Sequence, residues 1–488
     1  IMKKIEKEKE IKVGTHYLPH HPVVRKNAET TKVRVVFDAS GKSHKSKLSL
    51  NDCLHTGPAL APMLYDVLLR MREHKVLLVA DVQKAFLQIE IDAEDRNSLR
   101  FLWVKNIFSK EPEIEIYQFC RVIFGAGPSP FLLNATLRYH LAKYEEEDPE
   151  FVEKVANSMY IDDLVSGETN VEEAFKLFQK AKERLREGGF SMHKWKSNNA
   201  SLLQAIKNKE GDDKEESVEE ELTYAKESVE TKVEDTGDKI LGVKWNKVSD
   251  DLVFEFQDIV SRAEGMELTK RNLLSVVASV FDPLGLVSPI IVTAKILLQE
   301  LCKSKLGWDE APGEEFLKKW QKWLTELKVT SEILFPRCIY PRIDEKVVEI
   351  SLHGFADASS KAYCAAVYIL CKQESVTRAQ LLTSKTRVAP IKEQSIPRLE
   401  LTSARILARL MDTVQKALES QINVQNTTLW LDSFTALLWI KNIGEWKPFV
   451  QNRVREILQL TSRDAWRYCP TDCNPADIGS RGINASKL

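Results

Sequence analysis

Adjacent carboxylates between two apolar runs are the residues in this chain best suited to chemistry. Asp162 and Asp163 lie in Ser158-Met159-Tyr160-Ile161-Asp162-Asp163-Leu164-Val165. The flanks are apolar and partly β-branched, so the segment reads as strand, tight turn, strand, with the acids at an exposed tip. Neighbouring carboxylates repel unless cations sit between them. Hard oxygen ligands of this kind suit Mg²⁺, which uses few carboxylates and completes its shell with substrate phosphates. A third acid has a similar setting. Val76-Leu77-Leu78-Val79-Ala80-Asp81 is a short apolar run ending in an acid, which reads as a buried strand delivering Asp81 at its end. On one sheet, Asp81 and Asp162 would hold two metals about 3.5–4 Å apart, the spacing for in-line phosphoryl transfer. Successive strand residues point to opposite faces, so Asp163 is expected to matter less for direct coordination.

A second set of acids follows. Val348 to Ser359 is strand-like and delivers Asp357. Ala362 to Leu370 is a second strand candidate, and the pair suggests a hairpin. Ile396-Pro397-Arg398-Leu399-Glu400-Leu401 opens a helix that runs to about Glu419 and carries Glu400. Thr428 to Ser433 is another strand ending in an acid, Asp432, with a helix after it. Asn474-Pro475-Ala476-Asp477-Ile478-Gly479-Ser480-Arg481 closes the set with Asp477. Between the two sets, Asn170 to Glu187 reads as an amphipathic helix stopped by Gly188-Gly189. Leu268 to Val280, Ile290 to Lys303 and Glu314 to Leu327 also read as helices. From about Lys207 to Lys239 the composition turns to acids and lysines with no apolar period, which predicts a solvated, mobile insertion.

The ordered motifs carry a family resemblance. Asp81-x-x-x-Ala85-Phe86-x-Gln88-Ile89 followed by Tyr160-x-Asp162-Asp163 resembles the palm of reverse transcriptases. Tyr17 to Val24 and Lys32 to Ser40 resemble the fingers, and Ser49-Leu50-Asn51-Asp52 follows them. Phe124-Gly125-Ala126-Gly127-Pro128 resembles the loop beneath template and incoming nucleotide. Gly188 to Trp195 and Ile240 to Trp245 resemble the closing palm motif and the primer grip. Strand-Asp, helix-Glu, strand-Asp, late-Asp resembles the ribonuclease H fold. The wording of the motifs is most similar to the BEL/Pao class of long-terminal-repeat retrotransposons, in a region also labelled a Pao retrotransposon peptidase family, and Phe281 to Pro289 is typical of that class.

The resemblance implies an α+β and α/β multidomain chain. A right-hand polymerase with fingers, palm and thumb would be followed by a helical connection and a ribonuclease H-like domain. The expected boundaries are 1–260 for fingers and palm with the insertion at about 207–238, 261–345 for thumb and connection, and 346–488 for ribonuclease H. The implied activity is RNA-directed DNA polymerisation with cleavage of RNA in hybrids. Asp81 and Asp162 would bind the polymerase metals. Asp357, Glu400, Asp432 and Asp477 would hold the second pair. Two Mg²⁺ per site are implied, with Mn²⁺ as a substitute. Arg34 would grip the triphosphate, with Lys26 a second cation. Phe86 would exclude the ribose 2′-hydroxyl. Gly125 and Ile161 would lie beside nucleotide and primer end, and Leu241 and Gly242 would form the primer grip. Lys194 and Lys196 are both candidates for the closing lysine. The loop Pro470 to Asn474 lacks the histidine that many ribonucleases H carry there. Implied partners are RNA template, DNA primer, RNA–DNA hybrid, deoxynucleoside triphosphates, a Gag particle and other Pol domains. The implied setting is a cytoplasmic virus-like particle, with a nuclear phase as the alternative.

Composition agrees with this reading. The 488 residues allow two to four domains with real cores. A formal net charge of −1 implies that any nucleic-acid surface is a local basic cleft. The eight cysteines are scattered, and Cys469 with Cys473 has no second pair to complete a zinc site. A reducing, intracellular setting is the simpler expectation. The most apolar stretch, Leu273 to Leu301, is interrupted by Asp282, Pro283, Gly285, Pro289 and Lys295, so no membrane span is expected. The chain reads as a domain cut from a polyprotein, and its sequence carries no integrase pattern and no zinc knuckle. An aspartic peptidase is disfavoured, because Asp235-Thr236-Gly237 lies among charges and a catalytic dyad needs apolar flanks. A domesticated, inactive nucleic-acid-binding derivative or a structural particle component would not require two ordered acidic sets.

Overall fold

The computed structural model describes residues 1–5, 14–24, 33–215, 238–330, 332–342, 344–442 and 444–488. Lys26, Asp235, Thr236 and Gly237 lie outside the described residues. The chain divides into two compact units, 1–63 with 78–214, and 64–77 with 215–488.

In the first unit, the Asp81 strand Val76–Val82 lies inside a four-stranded sheet. The order is Met159–Tyr160, Asp163–Glu168, Val76–Val82, Met192–Lys196. Leu77, Leu78 and Ala80 are fully buried, as a near-continuous apolar strand requires. Helix Val171–Glu187 lies against this sheet. Asn170 caps it by accepting the Glu173 amide at 2.9 Å, and Ala174, Leu177, Phe178, Ala181 and Leu185 form its buried stripe. A second core gathers Leu18, Leu50, Phe101, Phe119 and Ile123 beneath the ribbon His20–Val24 and Val33–Phe37.

One expectation fails here. Helix Ala200–Glu215 runs through the first residues of the expected insertion, so Lys207 to Glu215 is ordered chain. Leu202 and Ile206 are buried and anchor the helix. Once nucleated, it continues through Lys207 and Lys209, whose straight side chains lose little freedom in a helix. Residues 216–237 lie outside the described residues, and Asp238 already pairs with Trp245 in a strand.

In the second unit, strands Asp238–Ile240, Val243–Asn246, Asp251–Glu255 and Glu332–Pro336 form an antiparallel sheet. The larger sheet has five strands, in the order Thr377–Val388, Ala362–Gln373, Val347–Ala358, Asn426–Leu431, Trp466–Tyr468. The first three are antiparallel, and the last two run parallel to Val347–Ala358. Helix Ile396–Leu418 packs on this sheet.

Helices Lys270–Ala278, Ser288–Lys303 and Glu314–Val329 belong to the same compact unit. The segment Phe281 to Pro289 ties them to the edge strand. The Ser384 amide and Thr383 Oγ1 both donate to the Leu284 carbonyl, at 2.9 and 2.7 Å. Gly285 has φ +71°, and a Cβ there would lie 2.0 Å from the Ser384 carbonyl oxygen, so only glycine fits. Arg72 and Arg337, 265 residues apart in the chain, are fully buried in the same unit. Arg72 donates to the carbonyls of Pro336, Arg337 and Leu382, and Arg337 forks onto Asp250 at 2.7 and 2.6 Å. Among the described residues, no helix is long and apolar enough to cross a membrane.

Candidate active sites

The first site lies at the tip of the Met159–Tyr160 and Asp163–Glu168 hairpin. Tyr160 pairs with Asp163, so Ile161 and Asp162 form the turn. Ile161 has φ 59°. That left-handed backbone is an outlier for a β-branched residue and marks stored strain. The Val82 amide donates to the Asp162 carbonyl at 2.8 Å, which brings the turn to the end of the Asp81 strand.

On the other side of Asp81 the ladder with Met192–Lys196 shifts register. Asp81 pairs with His193 while Val79 pairs with Lys196, and Lys194 takes φ 55°. This bulge re-aims Lys194. Its Nζ lies 2.9 Å from Asp81 Oδ2, and His193 Nε2 lies 3.8 Å from the same oxygen. Burial raises the Asp162 pKa, and the nearby Asp81 charge adds to the effect. Asp163 is pushed up to about 6 by burial, then by Asp162 and Asp81, while Lys194 and Lys196 oppose. The three acids therefore share one field, and Lys194 is the cation that touches it.

Phe86 follows Asp81 in the short 3₁₀ turn Ala85–Gln88. It is buried, 7% exposed, and meets Phe124 edge-on at 4.8 Å between ring centroids. Phe124 itself is exposed and precedes Gly125, which has φ +89°. Sequence reading missed the residue that holds this loop. Asn51 donates to Ser40 Oγ at 2.9 Å and to the Gly125 carbonyl at 3.0 Å, and accepts the Gly127 amide at 2.7 Å. The motif Ser49 to Asp52 was its signal, but the partners lie far away in the chain. Arg34 stands exposed on strand Val33–Phe37. In the second unit, Leu241 (φ 48°) and Gly242 (φ 92°) form the turn between Asp238–Ile240 and Val243–Asn246. A Cβ at Gly242 would meet the Phe281 ring at 2.9 Å.

The second site lies in the second unit. Parallel pairing sets Ala356 beside Leu431, so Asp357 and Asp432 emerge at matching ends of neighbouring strands. Glu400 reaches them from the start of helix Ile396–Leu418, and its Oε1 accepts the Ala358 amide at 3.2 Å. Carboxylate oxygens of Asp357, Glu400 and Asp432 lie within 4.8 Å of one another. Burial pushes Glu400 up to about 9, with Asp357 and Asp432 adding to it. Asp357 is raised to about 6 by burial, then by Asp432 and Asp477, although the Ser480 hydroxyl donates to it. Glu400 Oε2 and Asp432 Oδ1 are buried without a hydrogen-bond partner. Three acids that repel one another and carry orphaned buried oxygens fit a divalent cation.

Asp477, the fourth acid of the expected set, is engaged by an arginine. It does not join the trio; its Oδ1 accepts from Arg481 Nε at 2.5 Å, one turn along Asp477–Arg481. Its charge still acts on Asp357. The pairing follows from the i,i+4 spacing on one helix face. A groove at the start of helix Ile396–Leu418, also missed from sequence, is lined by Arg398, Trp439, Trp446, Lys447 and Phe449. Arg398 and Arg453 stack on Phe449, at 5.0 and 3.5 Å from the ring centroid. Aromatic faces with cations suit nucleic-acid strands.

Comparison with known proteins matches two successive parts of the chain to two families. Residues 24–244 match the family described as reverse transcriptase (RNA-dependent DNA polymerase). Residues 269–433 match the Pao retrotransposon-like RNaseH-like domain. Families of these kinds generally depend on divalent metals. No curated protein matches the chain. Solved structures of a foamy viral protease-reverse transcriptase share the fold at 14% identity. The complex with RNA/DNA hybrid has a TM-score of 0.52 and covers 94% of this chain and 50% of that one. One with double-stranded DNA has a TM-score of 0.53 and covers 96% and 79%. The chain thus spans half the length of the first of these structures. A polymerase match followed in order by a Pao-type RNase H-like match indicates a reverse transcriptase–ribonuclease H region of the Pao/BEL retrotransposon type.

Proposed function

We propose that the chain copies RNA into DNA at the Asp81–Asp162 site and cuts RNA in hybrids at the Asp357–Glu400–Asp432 site. The observation that carries the reading is the second site's convergence, with orphaned oxygens on Glu400 and Asp432. Its order behind the Asp81 and Asp162 pair supports it, as do the two family matches. Foamy viral proteins of the same fold, solved with RNA/DNA hybrid and with double-stranded DNA, support nucleic acid as substrate.

Asp81 and Asp162 would hold Mg²⁺ in the first site, and Asp357, Glu400 and Asp432 in the second, with two ions per site. Bound there, the ions would stabilise the attacking and leaving oxygens of an in-line displacement. In polymerisation the primer 3′-hydroxyl forms the new P–O bond at the nucleotide α-phosphate, and pyrophosphate leaves. Were Asp81 to serve as a ligand, Lys194, now 2.9 Å from its Oδ2, would be free to face the phosphates. Arg34 meets the triphosphate, Phe86 and Gly125 shape the sugar pocket, and Ile161 lies beside the primer end; Leu241 and Gly242 keep their reading as a primer grip within the second unit. In cleavage, water attacks an RNA phosphodiester while Ser480 keeps Asp357 oriented. Asp477 contributes charge from its place beside Arg481.

The test is Mg²⁺-dependent extension of a DNA primer on an RNA template, with hybrid cleavage measured on the same protein. Absence of both activities in folded protein, with Mg²⁺ or Mn²⁺, would overturn the reading.

A further inference from the structure

A cavity of about 480 Å³ opens between helices Ser288–Lys303 and Glu314–Val329 and the C-terminal residues Arg481 to Lys487. Its walls carry five cations, Lys319, Lys322, Lys361, Arg481 and Lys487, against two acids, Glu300 and Glu326. In a chain of net charge −1, that is a local excess of positive charge in a concave place. Such a concavity focuses potential for an anion.

The walls are fixed. Gly482 has φ +82°, and a Cβ there would lie 2.4 Å from Thr293 Oγ1. The Ile483 amide donates to the Pro289 carbonyl at 3.1 Å. These contacts seat the C-terminal wall on helix Ser288–Lys303. Two of the lysines have only long pairings: Lys361 lies 3.9 Å from Glu300, and Lys322 reaches Glu326 at 4.0 Å. Lys319 pairs with Glu300 at 3.0 Å and Glu315 at 2.9 Å, and Arg481 with Asp477. Exposed pairs of this kind contribute little, so a phosphate can compete for these lysines.

The cavity also adjoins the RNA-cutting acids. Arg481 lines it and pairs with Asp477. Lys361 sits in the turn between Val347–Ala358, which carries Asp357, and Ala362–Gln373. That turn is locked: the Lys361 amide donates to Ser359 Oγ at 3.1 Å, and Ser359 Oγ donates to the Ser480 carbonyl at 2.8 Å. Ser480 in turn donates to Asp357. The cationic rim and the acid cluster are thus joined by a short hydrogen-bonded path.

We propose that this cavity is a second phosphate site, one that holds the backbone of the strand being cut, beyond the phosphodiester at Asp357, Glu400 and Asp432. The inference rests on the ribonuclease H reading above. Phosphates recur about every 3.4 Å of rise along a strand. A backbone leaving the acids therefore presents further charges to Lys361 and Arg481. The chemistry recognised is the phosphodiester anion, without base identity.

The experiment uses the whole chain, with Ca²⁺ replacing Mg²⁺ during binding, and follows RNA–DNA hybrid affinity against salt. Lys361→Glu combined with Lys487→Glu is expected to weaken binding about tenfold. The slope of log affinity against log salt should fall by about 1–2. Lys416→Glu, outside the cavity, should change neither. Both lysines of the double variant are exposed, so its melting temperature should hold. Unchanged affinity and slope in a double variant whose parent cuts hybrid would overturn the proposal. Tripolyphosphate binding that the double variant loses, with hybrid affinity intact, would make the cavity a free-polyphosphate site and overturn it too. A parent that neither binds nor cuts hybrid would sink the ribonuclease H reading, and this inference with it.

Discussion

Lys194 Nζ stands 2.9 Å from Asp81 Oδ2, placed there by a bulge in the ladder between Val76–Val82 and Met192–Lys196. An ammonium thus occupies the side of Asp81 where a cation is wanted. It also lowers the cost of keeping Asp162 and Asp163 charged beside it. Lys194→Gln removes a competitor for that carboxylate. Both partners are partly exposed, so the competition is worth at most about 1 kcal/mol. The Mn²⁺ concentration for half-maximal binding, read by electron paramagnetic resonance, should fall by up to about fivefold. A rise instead would mean that Lys194 organises the acids and does not compete with the ion.

The two sites use different ligands, so their activities should separate. Asp162→Asn should reduce primer extension on the order of a hundredfold to a thousandfold and leave hybrid cleavage near the parent rate. Glu400→Gln should do the reverse. Parent-rate extension by Asp162→Asn would show that the hairpin tip is not the polymerase centre.

The acid cluster makes stability depend on pH in a defined sense. Glu400 rises from an ordinary value of 4.5 to about 9 in the folded, metal-free chain. A raised folded pKa means that the native state holds its proton where the unfolded chain has lost it. That stability is fully present below about 4.5 and is lost as pH climbs towards about 9. In chelator, melting temperature should therefore fall between those limits, more in the parent than in Glu400→Gln. Mg²⁺ needs the ionised form, so its stabilising effect should grow with pH and be smaller in Glu400→Gln, where only the Asp81–Asp162 site remains intact. An equal pH slope in parent and variant would refute the assignment.

The parts legible in the sequence are those where a local rule and the tertiary fold agree. Asp81 and Asp432 were readable because a short apolar run ending in an acid needs no distant partner to be seen. Helix Ile396–Leu418 was readable from its period, and Glu400 with it. Strand Thr377–Val388 was not, because an edge strand alternates with polar residues and looks like a solvated loop. Lys194 could not be chosen over Lys196, since the bulge that separates them depends on pairing with another strand. Asp477 follows the expected order, but its i,i+4 pairing with Arg481 could be seen only once the short helix Asp477–Arg481 was in place.

Asn51 bridges two segments of the first unit, which gives its loss a local signature. Asn51→Ala leaves the Gly127 amide and the Gly125 carbonyl without their side-chain partner. Hydrogen bonds of this type are worth about 1 kcal/mol each. The nucleotide KM should rise several-fold with little change in kcat, as expected for a loop that positions substrate. An equal fall in kcat with unchanged KM would place Asn51 in the chemical step.

Phe86 tests whether a buried ring can also select a sugar. Its ring is 7% exposed and edge-on to Phe124, which borders the Gly125 loop. Phe86→Val deletes most of the ring, so a stability loss of about 2 kcal/mol is expected from packing alone. If the ring also walls the nucleotide pocket, the freed volume admits a 2′-hydroxyl. Ribonucleotide incorporation relative to deoxyribonucleotide should then rise by tenfold or more, since removing a steric block is worth roughly 1–3 kcal/mol in discrimination. Phe124→Ala removes the partner ring and should soften the same wall by a smaller factor. A lower melting temperature with an unchanged sugar ratio in both variants would leave Phe86 as a core aromatic that supports the Asp81 strand and nothing more.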